Sequence, residues 1–275
     1  MLEDWFRVIR LPLSLREFQR LPRNPAYKYE YIDGATWLSP RPKFYSARLD
    51  LAMRAVGAGS GIELDKPVTI RPLEDRDWRW LPRLFSASFS RVQPFTCLSD
   101  RQRIEAARSC LKSTRESCDG PLIRPACCVA LDQSQARPLG AILATLVPPV
   151  DLDDFWSLAW KEPPPPGCVE RREGHAHLTW IFVDPLRAGH GVGSALLARA
   201  ADGLRALGYS ELISTFLLGN ESSMLWHWRN GFELLPYAGS MRRFRAMMRA
   251  SQKSEKGGGA EPLPADGGDG ARPGP

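Results

Sequence analysis

The sequence predicts a mixed α/β (α+β) domain over residues 66–250, a central mixed β-sheet flanked by helices, preceded by an N-terminal extension that contains a β-hairpin. Three observations predict it. Short apolar runs of strand length alternate along the chain with amphipathic stretches of helical period. A glycine-rich turn at residues 187–194 joins one such strand to one such helix. Within residues 1–65, Tyr27, Tyr29 and Tyr31 alternate with Lys28 and Glu30 and lead into Asp33-Gly34, a preferred two-residue hairpin turn.

The extension, residues 1–65, differs in character from the rest of the chain: residues 1–64 hold ten Lys/Arg against seven Asp/Glu and four of the six tyrosines. Tyrosines among Arg20, Arg23, Lys28, Arg41 and Lys43 have the make-up of a nucleic-acid clamp. Aromatics covering an edge of the main domain are the simpler account, so nucleic acid is not an expected partner.

From Lys66 the pattern becomes regular. Residues 68–72 read as a short strand, after which Trp78, Leu81, Phe85 and Phe89 share one helical face, with Pro82 expected to kink or split that helix. A second helical pattern covers residues 100–112. Residues 126–131 and 139–147 read as buried or half-buried strands joined by a turn. Residues 148–174, with Asp151, Asp153, Asp154, Trp156, Trp160 and the prolines 163–166, read as an insertion or lid. Then come a strand at 177–183, a helix at 191–207 with Val192, Leu196, Ala200, Leu204 and Leu207 inward, and a strand at 211–217. A helix at 220–229 is closed by Asn230-Gly231, and final strands are expected at 232–237 and 241–248. Seven Gly and four Pro with few apolar side chains make residues 251–275 an expected disordered tail.

A composition of 43% hydrophobic and 25% charged residues is that of a globular chain with ample material for a core. The formal charge of +6 suits a nucleic-acid partner and equally an enzyme whose ligand carries several phosphates. Six cysteines include no C-x-x-C pair, so neither a disulfide framework nor a metal site is expected. Arg7 and Arg10 interrupt the apolar residues near the start, and no run approaches the ~20 apolar residues of a membrane span. A cytoplasmic location without membrane contact is the expectation.

The chemistry concentrates at residues 180–197, where Trp180-Ile-Phe-Val-Asp-Pro-Leu-Arg-Ala-Gly-His-Gly-Val-Gly-Ser-Ala-Leu-Leu puts a glycine-rich turn between strand and helix. Such a turn aims free backbone N–H groups and the positive end of the helix dipole at one point. Gly189, Gly191 and Gly193 let the backbone approach an anion closely, and Arg187 and His190 add cationic contacts. A pyrophosphate suits that site. The spacing excludes a P-loop, which needs a lysine that Gly193-Ser194 lacks. The dinucleotide fingerprint starting at Gly189 has Ser194 in place of its third glycine, and five residues intervene between strand and first glycine.

The run of Val183-Asp184-Pro185, then Gly189-His-Gly191-Val-Gly193, then a helix opening Ser194-Ala-Leu-Leu resembles the GNAT acetyltransferase superfamily. A second stretch, Asn220-Glu-Ser-Ser-Met-Leu-Trp-His-Trp-Arg-Asn-Gly-Phe, is similar to that superfamily's asparagine-led helix ending in Gly-Phe. The resemblance covers about residues 67–249. It implies the GNAT acyl-CoA N-acyltransferase fold, a sheet that splays open, and acetyl-CoA as co-substrate. It also implies a pantetheine arm against the backbone of Ile181, Phe182 and Val183, and a pyrophosphate on Gly189, His190, Gly191, Val192, Gly193 and Ser194, with Arg187 and Asn220 as further contacts. Ala188 stands where the superfamily usually carries Gln or Arg; either the adjacent Arg187 substitutes for it or cofactor affinity is reduced.

The implied reaction is acetyl transfer to a primary amine, with an unidentified amine acceptor as partner and the insertion at 148–174 bordering the acceptor site. Amine acetylation needs a base for the ammonium proton and is helped by an acid at the departing thiolate. All four histidines, His175, His177, His190 and His227, fall within 53 residues bracketing the two motifs. The resemblance gives His177 the position of the base and His227 that of an acidic tyrosine; a strand histidine and a helix-packing histidine are the structural alternatives. His175 reads as a loop residue, and Trp226 and Trp228 as helix packing. Two further readings stand beside the enzyme: a non-catalytic acyl-CoA-binding module and, more weakly, a nucleic-acid binder.

Overall fold

The computed structural model describes residues 9–22, 27–40, 44–52, 68–92, 95–133, 137–149, 158, 160–217 and 220–235. The expected strand at 241–248, the tail at 251–275, and Asp151, Asp153, Asp154 and Trp156 of the insertion lie outside the described residues.

Strand β1 (Ile9–Leu11), helix α1 (Leu15–Arg20) and strands β2 (Tyr27–Ile32) and β3 (Ala35–Pro40) form a small unit with a three-stranded sheet in the order β1-β3-β2. The hairpin falls where expected: Asp33 and Gly34 both take positive φ, as a tight two-residue turn requires, and Ile32 faces Ala35. Helix α1 begins at a capping box in which Ser14 and Glu17 satisfy each other's backbone N–H. Tyr27 is buried, and Tyr31 packs on Phe18 with ring centroids 5.6 Å apart.

The next strand, β4 (Phe44–Asp50), leaves this unit. It enters a seven-stranded sheet with β5 (Val68–Pro72), β6 (Cys128–Asp132), β7 (Pro138–Val147), β8 (His175–Val183), β9 (Glu211–Leu217) and β10 (Glu233–Leu235), in the order β10-β4-β9-β8-β7-β6-β5. Every neighbouring pair is antiparallel except β8 and β9. That pair is joined by helix α5 (Val192–Ala206), which makes the βαβ crossover a parallel pair needs. β7 is buried along almost its whole length, as a central strand covered on both faces should be.

Helices α2 (Leu81–Ser88) and α3 (Asp100–Arg115) cover one face of the sheet and α5 the other, and each interface has its own apolar core. On the first face Phe85, Phe89 and Phe95 pack with Trp180 and Phe182 of β8, with four of these ring contacts edge-on. Pro82 splits the helical pattern as expected. Residues Asp75–Arg79 form a 3-10 turn, and Pro82 sits in the first turn of α2, where a missing N–H costs nothing. On the second face, α5 presents Ala195, Ala198, Ala200 and Ala201 and comes so close to the 124–126 turn that a Cβ on Gly203 would lie 2.0 Å from the Pro125 carbonyl oxygen. The short helix α4 (Cys168–Arg171) lies within the proline-rich insertion, and Trp160 Nε1 of the same stretch donates to the Leu146 carbonyl at 2.8 Å. Helix α6 (Glu221–Arg229) packs beside β9 and β10.

Among the described residues no helix is long and apolar enough to cross a membrane. No group of three or more His, Cys, Asp or Glu side chains there could hold a metal ion. Cys110, Cys118, Cys127, Cys128 and Cys168 are free thiols.

Candidate active site

The site is built where β8 ends and α5 begins. β8 carries one extra residue against β7: Leu143 faces Trp180 and Ala144 faces Leu178, so Thr179 is a bulge. The bulge changes the phase of the strand. Ala176 and Leu178 before it, and Ile181 and Val183 after it, all face the α5 core, while Trp180 and Phe182 face α2 and α3. On its other edge β8 pairs with β9 only at His177 with Ile213 and Leu178 with Ser214. Beyond those two rungs the strands part, although β9 runs on to Leu217 paired with β4. The backbone of Thr179 to Val183 therefore borders an open wedge.

The wedge leads to the glycine loop. Asp184 shapes the turn: its carboxylate accepts the Leu186 N–H at 3.0 Å and pairs with Arg137, and its carbonyl accepts the Arg187 N–H at 2.7 Å. Ser88 at the end of α2 donates to the Val183 carbonyl at 2.6 Å and anchors the end of the strand. Gly189 and Gly191 take φ of +83° and +78°, which side chains rarely tolerate. Gly191 is the N-cap of α5 and has no side chain to cap the first turn, so the Val192, Gly193 and Ser194 N–H groups point out of the helix start. A Cβ on Gly193 would sit 3.1 Å from Trp226 Nε1, so this glycine lets α6 close over the helix start.

Arg187 precedes these amides in the loop, with Nε and one terminal nitrogen buried and without a hydrogen-bond partner among the described residues. Leaving donors of a guanidinium unsatisfied is costly, and an anionic ligand at the loop relieves it. The loop thus fits an anion in its backbone and in a cationic side chain.

The histidines separate. His177 is buried, with Nδ1 3.1 Å from Thr179 Oγ1 and Nε2 3.1 Å from Thr215 Oγ1. Burial, with the nearby His227 ring as a smaller cause, lowers its pKa to about 4. His227 is buried on α6, stacked on Phe216 at 4.6 Å; its Nδ1–H donates to the Ser223 carbonyl at 2.7 Å, and its Nε2 accepts from Ser214 Oγ at 2.7 Å. Burial lowers its pKa to about 4 as well. Ser214 and Thr215 are consecutive in β9 and so point to opposite faces, which puts the two imidazoles on opposite sides of the sheet. His175, read as a loop residue, opens β8 instead and pairs through Nδ1 with Glu211 at 2.9 Å. His190 is exposed in the loop. Asn220 is the N-cap of α6, its side-chain oxygen accepting the Ser223 N–H at 3.1 Å.

Ile181, Phe182 and Val183 lie on the half of β8 that is unpaired with β9, which runs through Asp184 into residues 187–194. Sequence reasoning missed Thr179, Thr215 and Thr145. Thr179 shares a face with His177 by period-2 spacing, a signal that was available. Thr215 and Thr145 reach the ring only through strand register.

The sequence model of the acetyltransferase (GNAT) family matches residues 97–232. No curated protein matches the chain. Among solved structures, the chain is similar to a GCN5-related N-acetyltransferase from Sphaerobacter thermophilus, with 13% identity over 71% of this chain and 50% of that one and a TM-score of 0.44. It therefore spans half the length of that protein. It is also similar to a GNAT family acetyltransferase from Brucella melitensis in complex with acetyl-CoA, with 18% identity over 62% of this chain and 88% of that one and a TM-score of 0.39. The matched segment runs from the turn before α3 through the four strands β6 to β9, the glycine loop and α6. Through residues 97–232 the chain belongs to the acetyltransferase (GNAT) family.

Proposed function

We propose that the protein is an acetyl-CoA-dependent N-acetyltransferase that passes the acetyl group to a primary amine by direct attack of the amine on the thioester. The observation that carries this reading is the open wedge between β8 and β9 running into a loop whose free amides and orphaned Arg187 await an anion. In this reading the backbone of Ile181 to Val183 takes the pantetheine arm. Residues 189–194 and Arg187 take the pyrophosphate, and Asn220 supports the loop from α6. His177 is neutral near pH 7 and so has a lone pair to receive a proton.

His227, placed by the family resemblance where an acidic tyrosine is usual, has no acid role in this reading. With Nδ1–H given to a carbonyl and Nε2 accepting a hydroxyl proton, the neutral ring has no proton to offer a departing thiolate. The acceptor is a small molecule, peptide or protein amine. A cytoplasmic location without membrane contact belongs to the same proposal, and nucleic acid is not among the proposed partners.

Titration calorimetry with acetyl-CoA tests the site. Gly191→Val places a side chain at positive φ, and Gly193→Val collides with Trp226; each should abolish binding, and Arg187→Ala should weaken it by about tenfold or more. Unchanged affinity in all three variants would remove the reading. A second reading, an acyl-CoA-binding module without catalysis, is favoured by Ala188 and by the full engagement of His227. Steady-state release of free CoA over a panel of amines separates the two.

A further inference from the structure

Five groups, His177 among them, form one continuous chain of hydrogen bonds. Thr145 Oγ1 lies 3.0 Å from the Asp119 carbonyl, Thr179 Oγ1 lies 2.8 Å from Thr145 Oγ1, and His177 bridges Thr179 and Thr215 at 3.1 Å on each side. The direction of this chain follows from its end. A carbonyl oxygen only accepts, so Thr145 gives its single hydroxyl proton to Asp119. Thr179 must then donate to Thr145, because its other acceptor, the His177 carbonyl, is 3.5 Å away. With that proton spent, Thr179 accepts from His177 Nδ1–H. The ring is therefore held as the Nδ1–H tautomer with its Nε2 lone pair turned to Thr215.

Position adds to this. Ser214 is the last residue of β9 paired with β8, and Thr215 is the next, so it stands at the apex of the wedge. Thr215 and Thr179 are half-buried, whereas His177 is only 8% exposed. A buried ring at the apex reaches a substrate only through a neighbour.

We propose that Thr215 is a catalytic residue that carries the proton from the acceptor ammonium to His177 Nε2, and that Thr179 and Thr145 are positioning residues that hold the imidazole in the accepting tautomer. This rests on the reading of the chain as an acetyltransferase. The step balances. An N–H proton of the ammonium passes to Thr215 Oγ1 as the hydroxyl proton passes to His177 Nε2, leaving a neutral amine and an imidazolium that burial disfavours, so the transfer runs uphill and the charged ring is short-lived. The amine forms the C–N bond, the C–S bond breaks, and the proton lost by the nitrogen goes to the thiolate of free CoA. His177 returns its proton to solvent by the same hydroxyl. Among the described residues, the His227 ring bears on His177 from across the sheet and adds to the lowering of its pKa. His175 and Glu211 are paired with each other at the start of the strands, and Asp119 is held by Ser113 and Thr114.

The test uses the full chain, acetyl-CoA, and two acceptor classes, alkylamines that are protonated at pH 7 and arylamines that are already neutral. Acetyl-CoA affinity should be unaltered in Thr215→Val, Thr215→Ser and Thr179→Val; the serine variant should keep its melting temperature, and the two valine variants should stay folded with a lowered one, because each leaves a polar atom of the buried His177 ring without its partner. With alkylamines, Thr215→Val should lower kcat by about 10²-fold with KM little changed, Thr215→Ser should restore it to within about threefold, and Thr179→Val should cost about tenfold. With arylamines the Thr215→Val loss should shrink to about threefold, because no ammonium proton has to be moved. An unchanged kcat in Thr215→Val, a failure of serine to rescue, or an equal loss with both acceptor classes overturns the proposal while leaving the acetyltransferase standing. A wild-type protein that binds no acetyl-CoA, or releases no CoA with any amine, overturns both.

Discussion

The two buried imidazoles set a pH dependence of stability that can be worked out in advance. An unfolded histidine titrates near 6.5, whereas His177 and His227 are held at about 4, chiefly by burial. Between those values the unfolded chain binds protons that the folded chain refuses, so stability is complete above about pH 6.5 and falls as the pH drops toward 4. The difference, 6.5 − 4, is about 2.5 units, or about 3 kcal/mol for each ring at ~1.36 kcal/mol per unit. Near pH 5 each ring should contribute a slope of roughly 1 kcal/mol per pH unit. Asp77, whose carboxyl is held below its ordinary range against Arg71, loses its contribution only at lower pH, so the interval from 6.5 to 5 isolates the histidines. Urea unfolding at half-unit steps across that interval is the assay, with His227→Phe as the comparison because Phe suits the stack on Phe216. The variant changes absolute stability by losing the Ser214 and Ser223 partners, but its slope should fall by about half. A wild-type curve flat between pH 6.5 and 5, or an unreduced slope in His227→Phe, would refute the claim that these rings are buried and neutral.

Two further outcomes rest on packing. Gly203→Ala gains up to ~1 kcal/mol of helix propensity, yet its methyl would lie 2.0 Å from the Pro125 carbonyl oxygen and 2.6 Å from the adjoining carbon; the net effect should be a loss of about 2 kcal/mol or more, read as a lowered urea midpoint. Asp77→Ala removes a two-pronged contact with Arg71, at 2.7 and 2.8 Å, and the acceptor of the Glu74 N–H; it should cost about 3 kcal/mol, with Asp77→Asn retaining part of that.

Legibility in the sequence tracked how local the cause was. The Asp33-Gly34 hairpin, the split at Pro82, the helical pattern of α3 from residue 100 and the glycine loop each depend on neighbours within a few residues, and the structure has the elements where those residues predict them. β4 was illegible because only Ala47 and Leu49 among its described side chains face the core, between half-buried Ser46 and Arg48, too short an alternation to mark a strand. In the site, the loop was legible because one segment holds every amide that matters. The surroundings of His177 were not, because Thr145 and Thr215 come from strands 32 residues before it and 38 residues after it in sequence and meet it only through register. The placement of His175 at the head of β8 was missed for a related reason: its partner, Glu211, is 36 residues away.

β4 has a bearing on how the protein is made. It is wedged between β9 and β10, with Asp50 opposite Glu211 and Ser46 opposite Leu235. On a ribosome adding about 5–20 residues per second, the 161 residues from Asp50 to Glu211 take roughly 8–32 s, during which β4 exists without either of its partners. Both edges of an early strand stay bare while the centre of the sheet is still being assembled, and the last rungs close only after nearly all the described residues have been synthesised. Slow translation between residues 50 and 211, or a shortage of chaperones that shield bare strand edges, should therefore lower the yield of folded protein more than it would for a sheet built from consecutive hairpins.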